Sequence, residues 1–152
     1  MTAFIFLVVF GANIFSYFLA LTGLPMALSD FMTGLPLPKH LILVAVILVY
    51  LLLGCVMEVY AIMILTLPII FPIIEALQFD PIWYGVLMVI VLEVGLITPP
   101  VGLNVFVLKG AAPDIPLTTI FRGIWPFLIA AIAALVIITI FPGIALFIPL
   151  HM

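Results

Sequence analysis

The sequence has very little charge: only 6% of its 152 residues are Asp, Glu, Lys or Arg. A soluble domain needs roughly 25% charged residues to solvate its surface. Hydrophobic residues make up 69% of the chain, and the mean hydropathy is +1.67. The composition therefore indicates an integral membrane protein. The net charge of −3 says little about partners, since so few ionisable groups contribute, and nucleic acid is not a predicted partner.

Cysteine and histidine are also scarce. The single cysteine, Cys55, excludes an intramolecular disulfide. His40 and His151 lack the spacing of metal ligands, so no transition-metal site is predicted. The long runs of Ile, Leu and Val do not alternate with polar residues as barrel strands do, so the spans are predicted to be helical. The apolar N-terminus lacks the basic region of a removable signal peptide and is long enough to span.

Turn-forming and polar residues divide the chain into apolar units. The predicted segments are a transmembrane helix over 1–24, a polar linker with a short interfacial helix over 25–40, a helical hairpin over 41–79, a discontinuous transmembrane helix over 80–110 broken at 98–100, a loop over 111–123, and a C-terminal transmembrane helix over 124–152.

The hairpin has two apolar arms, 41–57 and 59–77, with only Glu58 between them. Each arm is slightly shorter than the roughly 20 residues that a membrane span needs. Either both arms span, with Glu58 at an interface, or they form a re-entrant hairpin whose tip stops inside the membrane. Two spanning arms are the more frequent arrangement in membrane proteins. The junction GCVMEVY argues for the re-entrant form, because it has none of the Asn, Asp, Pro or Lys of a solvated loop.

The fourth apolar unit contains the sequence GLITPPVGLN, which is unsuited to a continuous helix. Pro99 and Pro100 each remove an amide donor, and each ring clashes with the carbonyl one turn earlier. Thr98 precedes a proline and is therefore pushed away from helical geometry. The helix is predicted to end near Ile97 and to restart near Val101.

Gly95, Gly102 and Asn104 add to the polar and flexible character of this stretch. One interpretation is a proline kink whose free carbonyls are satisfied by threonine hydroxyls and neighbouring helices. The other is a true break. Its carbonyl end would carry partial negative charge suited to a cation, and its amide end partial positive charge suited to an anion.

Two carboxylates are predicted to lie within the membrane, where ionisable residues usually serve function. Glu58 could ligate a cation or hydrogen-bond backbone amides and so hold the shape of the junction. Glu93 is expected to pair with a neighbouring polar group. Trp83, Tyr84 and Trp125 are predicted to lie in the aromatic belts at the membrane interfaces.

Two stretches carry a family resemblance: GCVMEVYAIMILTLPIIFPIIEAL and FDPIWYGVLMVIVLEVGLITPPVGLN. They resemble the C-terminal part of the large membrane subunit of tripartite ATP-independent periplasmic (TRAP) transporters, and the resemblance covers nearly the whole chain. It implies that these residues are about the last third of a longer subunit. The chain departs from many relatives at Val91, where Asn is common, and at Glu58, where Asp is frequent.

The resemblance implies an elevator-type secondary transporter built from inverted repeats, each a re-entrant hairpin followed by a discontinuous helix. This chain would form the second repeat, and without the first it is not expected to transport. The resemblance further implies sodium as coupling ion and no other cofactor, an organic-acid substrate, and the bacterial inner membrane as location. The implied partners are a small four-helix membrane subunit and a periplasmic solute-binding protein.

On this resemblance the hairpin tip, near residues 54–60, lies against the broken helix. The implied cation-binding residues are Gly54, Met57, Glu58, Gly95, Thr98, Pro99 and Gly102. The implied substrate-binding residues are Cys55, Thr98, Pro100, Val101 and Asn104. A non-transporting membrane scaffold remains the alternative function. An enzyme is not predicted, because no nucleophile–base pair or metal triad accompanies the carboxylates.

Overall fold

The computed structural model of the protein describes residues 2–99 and 102–151, which form helices joined by short connections. The helices are α1 (Thr2–Thr22), α2 (Leu24–Gly34), α3 (Lys39–Val56), α4 (Val59–Ala76), α5 (Pro81–Ile97), α6 (Leu103–Ala111), α7 (Leu117–Ile140) and α8 (Gly143–Leu150). The described residues contain no β-strand, so the predicted all-α fold is confirmed.

Among the described residues, three helices are long and apolar enough to cross a membrane. These are α3, α4 and α7, with 18, 18 and 24 residues. Together α1 and α2 supply a fourth candidate if they count as one span, bent by 63°. At 17 residues, α5 is apolar but shorter. These lengths agree with the prediction of an integral membrane protein.

The bend between α1 and α2 lies at Gly23, close to the end of the segment predicted over 1–24. Gly23 has a φ of +67°, a left-handed conformation that glycine adopts without steric cost. Pro25 then occupies the first turn of α2, where a missing amide needs no partner. The short helix predicted within the 25–40 linker is present as α2, which leaves only residues 35–38 outside a helix.

The loop predicted over 111–123 is shorter in the structure, because α7 already begins at Leu117. Pro116 has an extended backbone, with φ −66° and ψ 142°, and precedes the first turn of α7. Its carbonyl accepts a hydrogen bond from the amide of Thr119 at 3.0 Å. A proline is well suited to a helix start, since its fixed φ is compatible with the turn and no amide is lost from the ladder.

The single helix predicted over 124–152 is divided into α7 and α8 at residues 141–142. Pro142 has no amide to donate to the carbonyl of Ile138, four residues earlier. That carbonyl instead accepts a hydrogen bond from the indole nitrogen of Trp83 on α5 at 2.8 Å. Trp83 is buried within the protein, where its indole satisfies a carbonyl that a proline leaves free.

The two arms of the hairpin pack against different parts of the molecule. The first arm, α3, packs chiefly on α5, which in turn packs on α7. The second arm, α4, packs chiefly on α1 and α2 and makes little direct contact with α3. The main core lies along the α3–α5 contact and contains residues of α3, α4, α5 and α7.

Candidate functional site

The helices α3 and α5 lie side by side and run in the same direction. At their first ends, the Lys39 ammonium lies 5.0 Å from the ring centre of Phe79, just before α5 begins. At their last ends, the backbones of Gly54 and Gly95 are in direct contact. A Cβ atom added to Gly95 would lie 2.8 Å from Cα of Gly54, and one added to Gly54 would lie 3.1 Å from Cα of Gly95. Only glycine fits at this crossing.

This contact changes the interpretation of Gly95. The sequence analysis treats Gly95 as a residue that loosens the backbone beside the prolines. In the structure Gly95 lies within α5, and its lack of a side chain allows α3 to approach. Its carbonyl accepts a hydrogen bond from the amide of Thr98 at 3.1 Å, which closes the last turn of the helix.

The Gly54–Gly95 contact brings the end of α5 next to the tip of the hairpin. The tip is defined here as residues 54–60, which cover the end of α3, the connection and the start of α4. The thiol of Cys55 lies 3.7 Å from the carbonyl oxygen of Thr98. The Thr98 hydroxyl donates to the carbonyl of Val94 at 2.6 Å. Two helix C-termini therefore end side by side, and their terminal carbonyls carry partial negative charge.

Glu58 lies in the tip, at the start of α4. Its Oε2 atom accepts a hydrogen bond from the amide of Ala61 at 3.1 Å, so the carboxylate caps the helix N-terminus. This is the contact expected if Glu58 holds the shape of the tip. Direct ligation of a cation by Glu58 remains a prediction.

The interruption after α5, called here the break, covers residues 98–102. α5 ends at Ile97, as predicted. The second half-helix, α6, begins at Leu103, close to the predicted restart near Val101, which lies outside the described residues. Gly102, whose φ of +61° is left-handed, directly precedes its first residue.

The N-terminus of α6 differs from those of α4 and α5. The carboxylates of Glu58 and Asp80 cap α4 and α5, respectively. Gly102 gives α6 no side-chain cap. The first amides of α6 that bond to the Gly102 carbonyl are those of Val105 and Phe106, at 2.8 and 3.4 Å. The amides that come before these two, at the start of α6, therefore form the positive end of a half-helix that no carboxylate of its own caps.

The structure brings together a subset of the predicted site residues. Those at the contact between the tip and the end of α5 are Gly54, Cys55, Gly95 and Thr98. Gly102 lies against Thr98 and Ile97 on the far side of the break. Met57 follows α3, and its amide donates to the carbonyl of Leu53 at 2.8 Å. Pro99 and Asn104 are exposed, within the break and in the first turn of α6. Pro100 and Val101 lie outside the described residues.

Glu93 is exposed on α5, and no described residue hydrogen-bonds to it. The expected pairing of Glu93 with a polar neighbour is therefore not found within residues 2–99 and 102–151. In the same part of the chain, no group of three or more His, Cys, Asp or Glu side chains could hold a metal ion. The donors available near the tip are backbone carbonyls, the Thr98 hydroxyl and Glu58, which are oxygen ligands suited to a hard cation.

One cluster of polar side chains was not predicted from the sequence. The hydroxyls of Tyr50, Thr66 and Tyr84 meet between α3, α4 and α5. A signal was present, since Tyr50 and Thr66 each interrupt a long apolar run. Their meeting could not be predicted, because it depends on how the three helices pack.

The long apolar helices define a helical membrane protein, and the break after α5 meets the end of a second helix, α3. The family model described as "Tripartite ATP-independent periplasmic transporter, DctM component" matches residues 1–144. The chain belongs to this family, as the resemblance predicted.

Individual relatives support the same assignment. The chain is 36% identical to the C4-dicarboxylate TRAP transporter large permease protein DctM of Pseudomonas aeruginosa, over 98% of the chain and 35% of that protein. It is 34% identical to the Rhodobacter capsulatus protein of the same name, over 98% of the chain and 34% of the relative. It is 31% identical to the sialic acid TRAP transporter large permease protein SiaM of Vibrio cholerae, over 97% of the chain and 34% of the relative.

These relatives are permeases, which confirms the prediction that the chain is not an enzyme. The chain spans about a third of their length.

Proposed function

We propose that the protein carrying this chain is a sodium-coupled secondary transporter that imports organic acids. The observation that carries the proposal is the contact of Gly54 with Gly95, which brings the C-termini of α3 and α5 together at the break. Converging helix C-termini favour a cation, and their backbone oxygens suit sodium. The further residues proposed to shape this cation site are Met57, Glu58, Thr98, Pro99 and Gly102.

The packing of α7 supports a re-entrant hairpin. α7 has 24 residues and is long enough to cross a membrane by itself. Both α5 and α6 pack against it, and the start of α5 lies beside its last turns through the Trp83–Ile138 hydrogen bond. We infer that α5 and α6 together follow one crossing, with the break part-way through. The tip, in contact with the break, then also stops inside the membrane.

The N-terminus of α6 is the proposed site for the substrate's anionic group. The amides of Leu103 and Asn104 lie at the positive end of this half-helix, next to the break. Lys109, at the other end of α6, donates to the carbonyls of Pro113 and Ile115 at 2.6 and 2.8 Å and is not directed to the break. The Asn104 side chain and Cys55, with Pro100 and Val101, complete the proposed substrate site.

The relatives' names indicate the substrate class. They include C4-dicarboxylate, sialic acid and 2,3-diketo-L-gulonate transporters, whose substrates carry a carboxylate, and an isethionate transporter, whose substrate carries a sulfonate. We propose an organic carboxylate as substrate. In the proposed mechanism sodium orders the tip and the break, the ordered site accepts the carboxylate, and the hairpin domain moves across the bacterial inner membrane. The proposed partners are a small membrane subunit and a periplasmic binding protein that delivers the substrate.

The proposal can be tested by measuring thermal unfolding of the purified protein in sodium chloride and in potassium chloride. Sodium at ten times its dissociation constant is expected to stabilise the protein by about 1.4 kcal/mol relative to potassium. T98V, which removes the hydroxyl next to the carbonyl ends, is expected to reduce this difference. T98S keeps the hydroxyl and is expected to preserve it. Equal stability of the wild type in the two salts would favour the scaffold alternative.

A further inference from the structure

Three hydroxyl groups form a continuous chain across three helices. The Tyr84 hydroxyl on α5 donates to the Tyr50 hydroxyl on α3 at 3.2 Å. The Tyr50 hydroxyl lies 2.8 Å from the Thr66 hydroxyl on α4, which donates to the carbonyl of Ile62 at 2.7 Å. We call Tyr84, Tyr50 and Thr66 the hydroxyl chain.

The direction of every hydrogen bond in this chain follows from its last member. Thr66 has a single hydroxyl proton, and it is used on the Ile62 carbonyl, which can only accept. With that proton on the Ile62 carbonyl, Tyr50 donates to Thr66 and accepts from Tyr84. In this arrangement each hydroxyl proton has an acceptor, so the chain is fully satisfied.

The hydroxyl chain lies where direct packing of the hairpin arms is poor. α3 and α4 make little direct contact with each other, although both contribute residues to the main core around α5. Between them lies a cavity of about 190 Å³, lined by Val46, Val49, Tyr50, Leu53, Thr66, Ile69 and Ile70. Within the described residues, the Tyr50–Thr66 pair is the side-chain hydrogen bond that joins one arm to the other.

We propose that Tyr50, Thr66 and Tyr84 are positioning residues that set the separation of the two hairpin arms and thereby the geometry of the tip. Tyr50 is four residues before Gly54, about 6 Å along α3, and Thr66 is about 10 Å along α4 from its start. Both residues therefore lie within about two helical turns of the tip, so a change in the distance between the arms at Tyr50 and Thr66 also moves the tip residues. This inference rests on the proposed function only for its effect on sodium, since the effect on the tip is structural.

The tip contains its own reporter, because Cys55 is the single cysteine of the chain and is buried against Thr98. Its alkylation by a small maleimide requires local opening of the tip. The rate can be measured in the full-length protein in liposomes by peptide mass spectrometry of the Cys55 peptide. Y50F removes both tyrosine-linked hydrogen bonds, and T66V removes the acceptor on α4. Each is expected to raise the alkylation rate about tenfold, as loss of one buried hydrogen bond predicts.

Two variants act as matched controls. T66S keeps the hydroxyl and is expected to leave the alkylation rate within about twofold of the wild type, the spread expected of a conservative change. Y84F removes only the hydrogen bond to Tyr50 and leaves the Tyr50–Thr66 pair. Its Cys55 alkylation rate is therefore expected to lie between those of T66S and T66V. Unchanged Cys55 alkylation in both Y50F and T66V overturns the inference, as does an equal increase in T66S and T66V.

The same variants separate this inference from the proposed transport. In the thermal-unfolding comparison of sodium with potassium, Y50F and T66V are expected to need a higher sodium concentration for half of the maximal stabilisation, and T66S is not. If the wild type shows no sodium effect while Y50F and T66V still expose Cys55, the proposed function is wrong and the positioning role stands. If the sodium effect is present but unaltered in Y50F and T66V, the link between arm spacing and the cation site is wrong.

Discussion

The bend at Gly23 and the break before Gly102 are built from the same local parts. In each, a threonine near the end of the first helix bonds back to that helix, Thr22 to the Leu19 carbonyl at 2.8 Å and Thr98 to the Val94 carbonyl at 2.6 Å. In each, a left-handed glycine precedes the next helix, with φ of +67° at Gly23 and +61° at Gly102.

The surroundings of the two glycines differ. A Cβ atom added to Gly23 would meet nothing within 4 Å. One added to Gly102 would lie 3.1 Å from a methyl of Val105 and 3.3 Å from the carbonyl of Thr98. The end of α5 is also in contact with α3 through Gly54, which brings the tip to the break. The comparison shows that a helix interruption becomes a candidate site when a second helix end packs against it.

The largest expected effect comes from filling the contact between α3 and α5. G95A is expected to destabilise the protein by about 3 kcal/mol, because the added methyl group overlaps the backbone of Gly54 and neither helix can move without disturbing the core. The measurement is thermal unfolding of the purified protein. G85A in the same helix is the control, since a Cβ there meets nothing within 4 Å. Equal unfolding temperatures for G95A and G85A would contradict the backbone contact.

The next effect tests the two interruptions directly. G102A and G23A both place a side chain at positive φ, which costs about 1–2 kcal/mol. G102A is expected to cost roughly 1 kcal/mol more, because its methyl group also crowds Val105 and the Thr98 carbonyl. Thermal unfolding of the two variants measures the difference. A larger loss of stability in G23A than in G102A would mean that the contacts around Gly102 do not add to the cost of a side chain there.

The third interruption, at Pro142, offers a smaller effect. W83F removes the indole donor and leaves the Ile138 carbonyl without its partner, which is expected to cost about 1–3 kcal/mol. W125F is the matched control, because Trp125 is exposed, and its expected change is within about 0.5 kcal/mol. Similar losses in W83F and W125F would show that the indole hydrogen bond contributes little.

The smallest effect concerns the threonines of the bend and the break. T98V is expected to cost about 1 kcal/mol, because the hydroxyl that satisfies the Val94 carbonyl is lost at a partly buried position. T22V removes the equivalent bond at an exposed residue, and a change of about 0.5 kcal/mol or less is expected. The free energies of unfolding of both variants are measured by chemical denaturation at one salt concentration. A larger loss in T22V than in T98V would contradict the expectation that the more buried hydrogen bond contributes more.

Several features of the fold could be predicted from the sequence because they depend on neighbouring residues. Proline and glycine act locally, so α5 ends at Ile97, where the sequence predicts it to end. α6 begins at Leu103, close to the restart expected near Val101. Gly102, which has a left-handed backbone, directly precedes its first residue.

Other features depend on the partners of a residue across the fold. The sequence shows that Gly95 lacks a side chain, but the contact with Gly54 shows why the absence is needed. Trp83 was predicted to face an interface, and the carbonyl freed by Pro142, 59 positions further along the chain, explains its burial. Neither contact has a local sequence signal.

Composition alone was enough to define a helical membrane protein, since so few charges cannot solvate a globule and long apolar runs must bury their backbone in helices. The residues around Gly23 and Gly102 were likewise enough to interrupt helices, because backbone sterics act within a few residues. Tertiary packing decided which interruption meets the tip, which glycine is crowded and which hydroxyls join the hairpin arms. Those outcomes depend on distances between helices, and such distances arise only when the side chains of separate segments pack together.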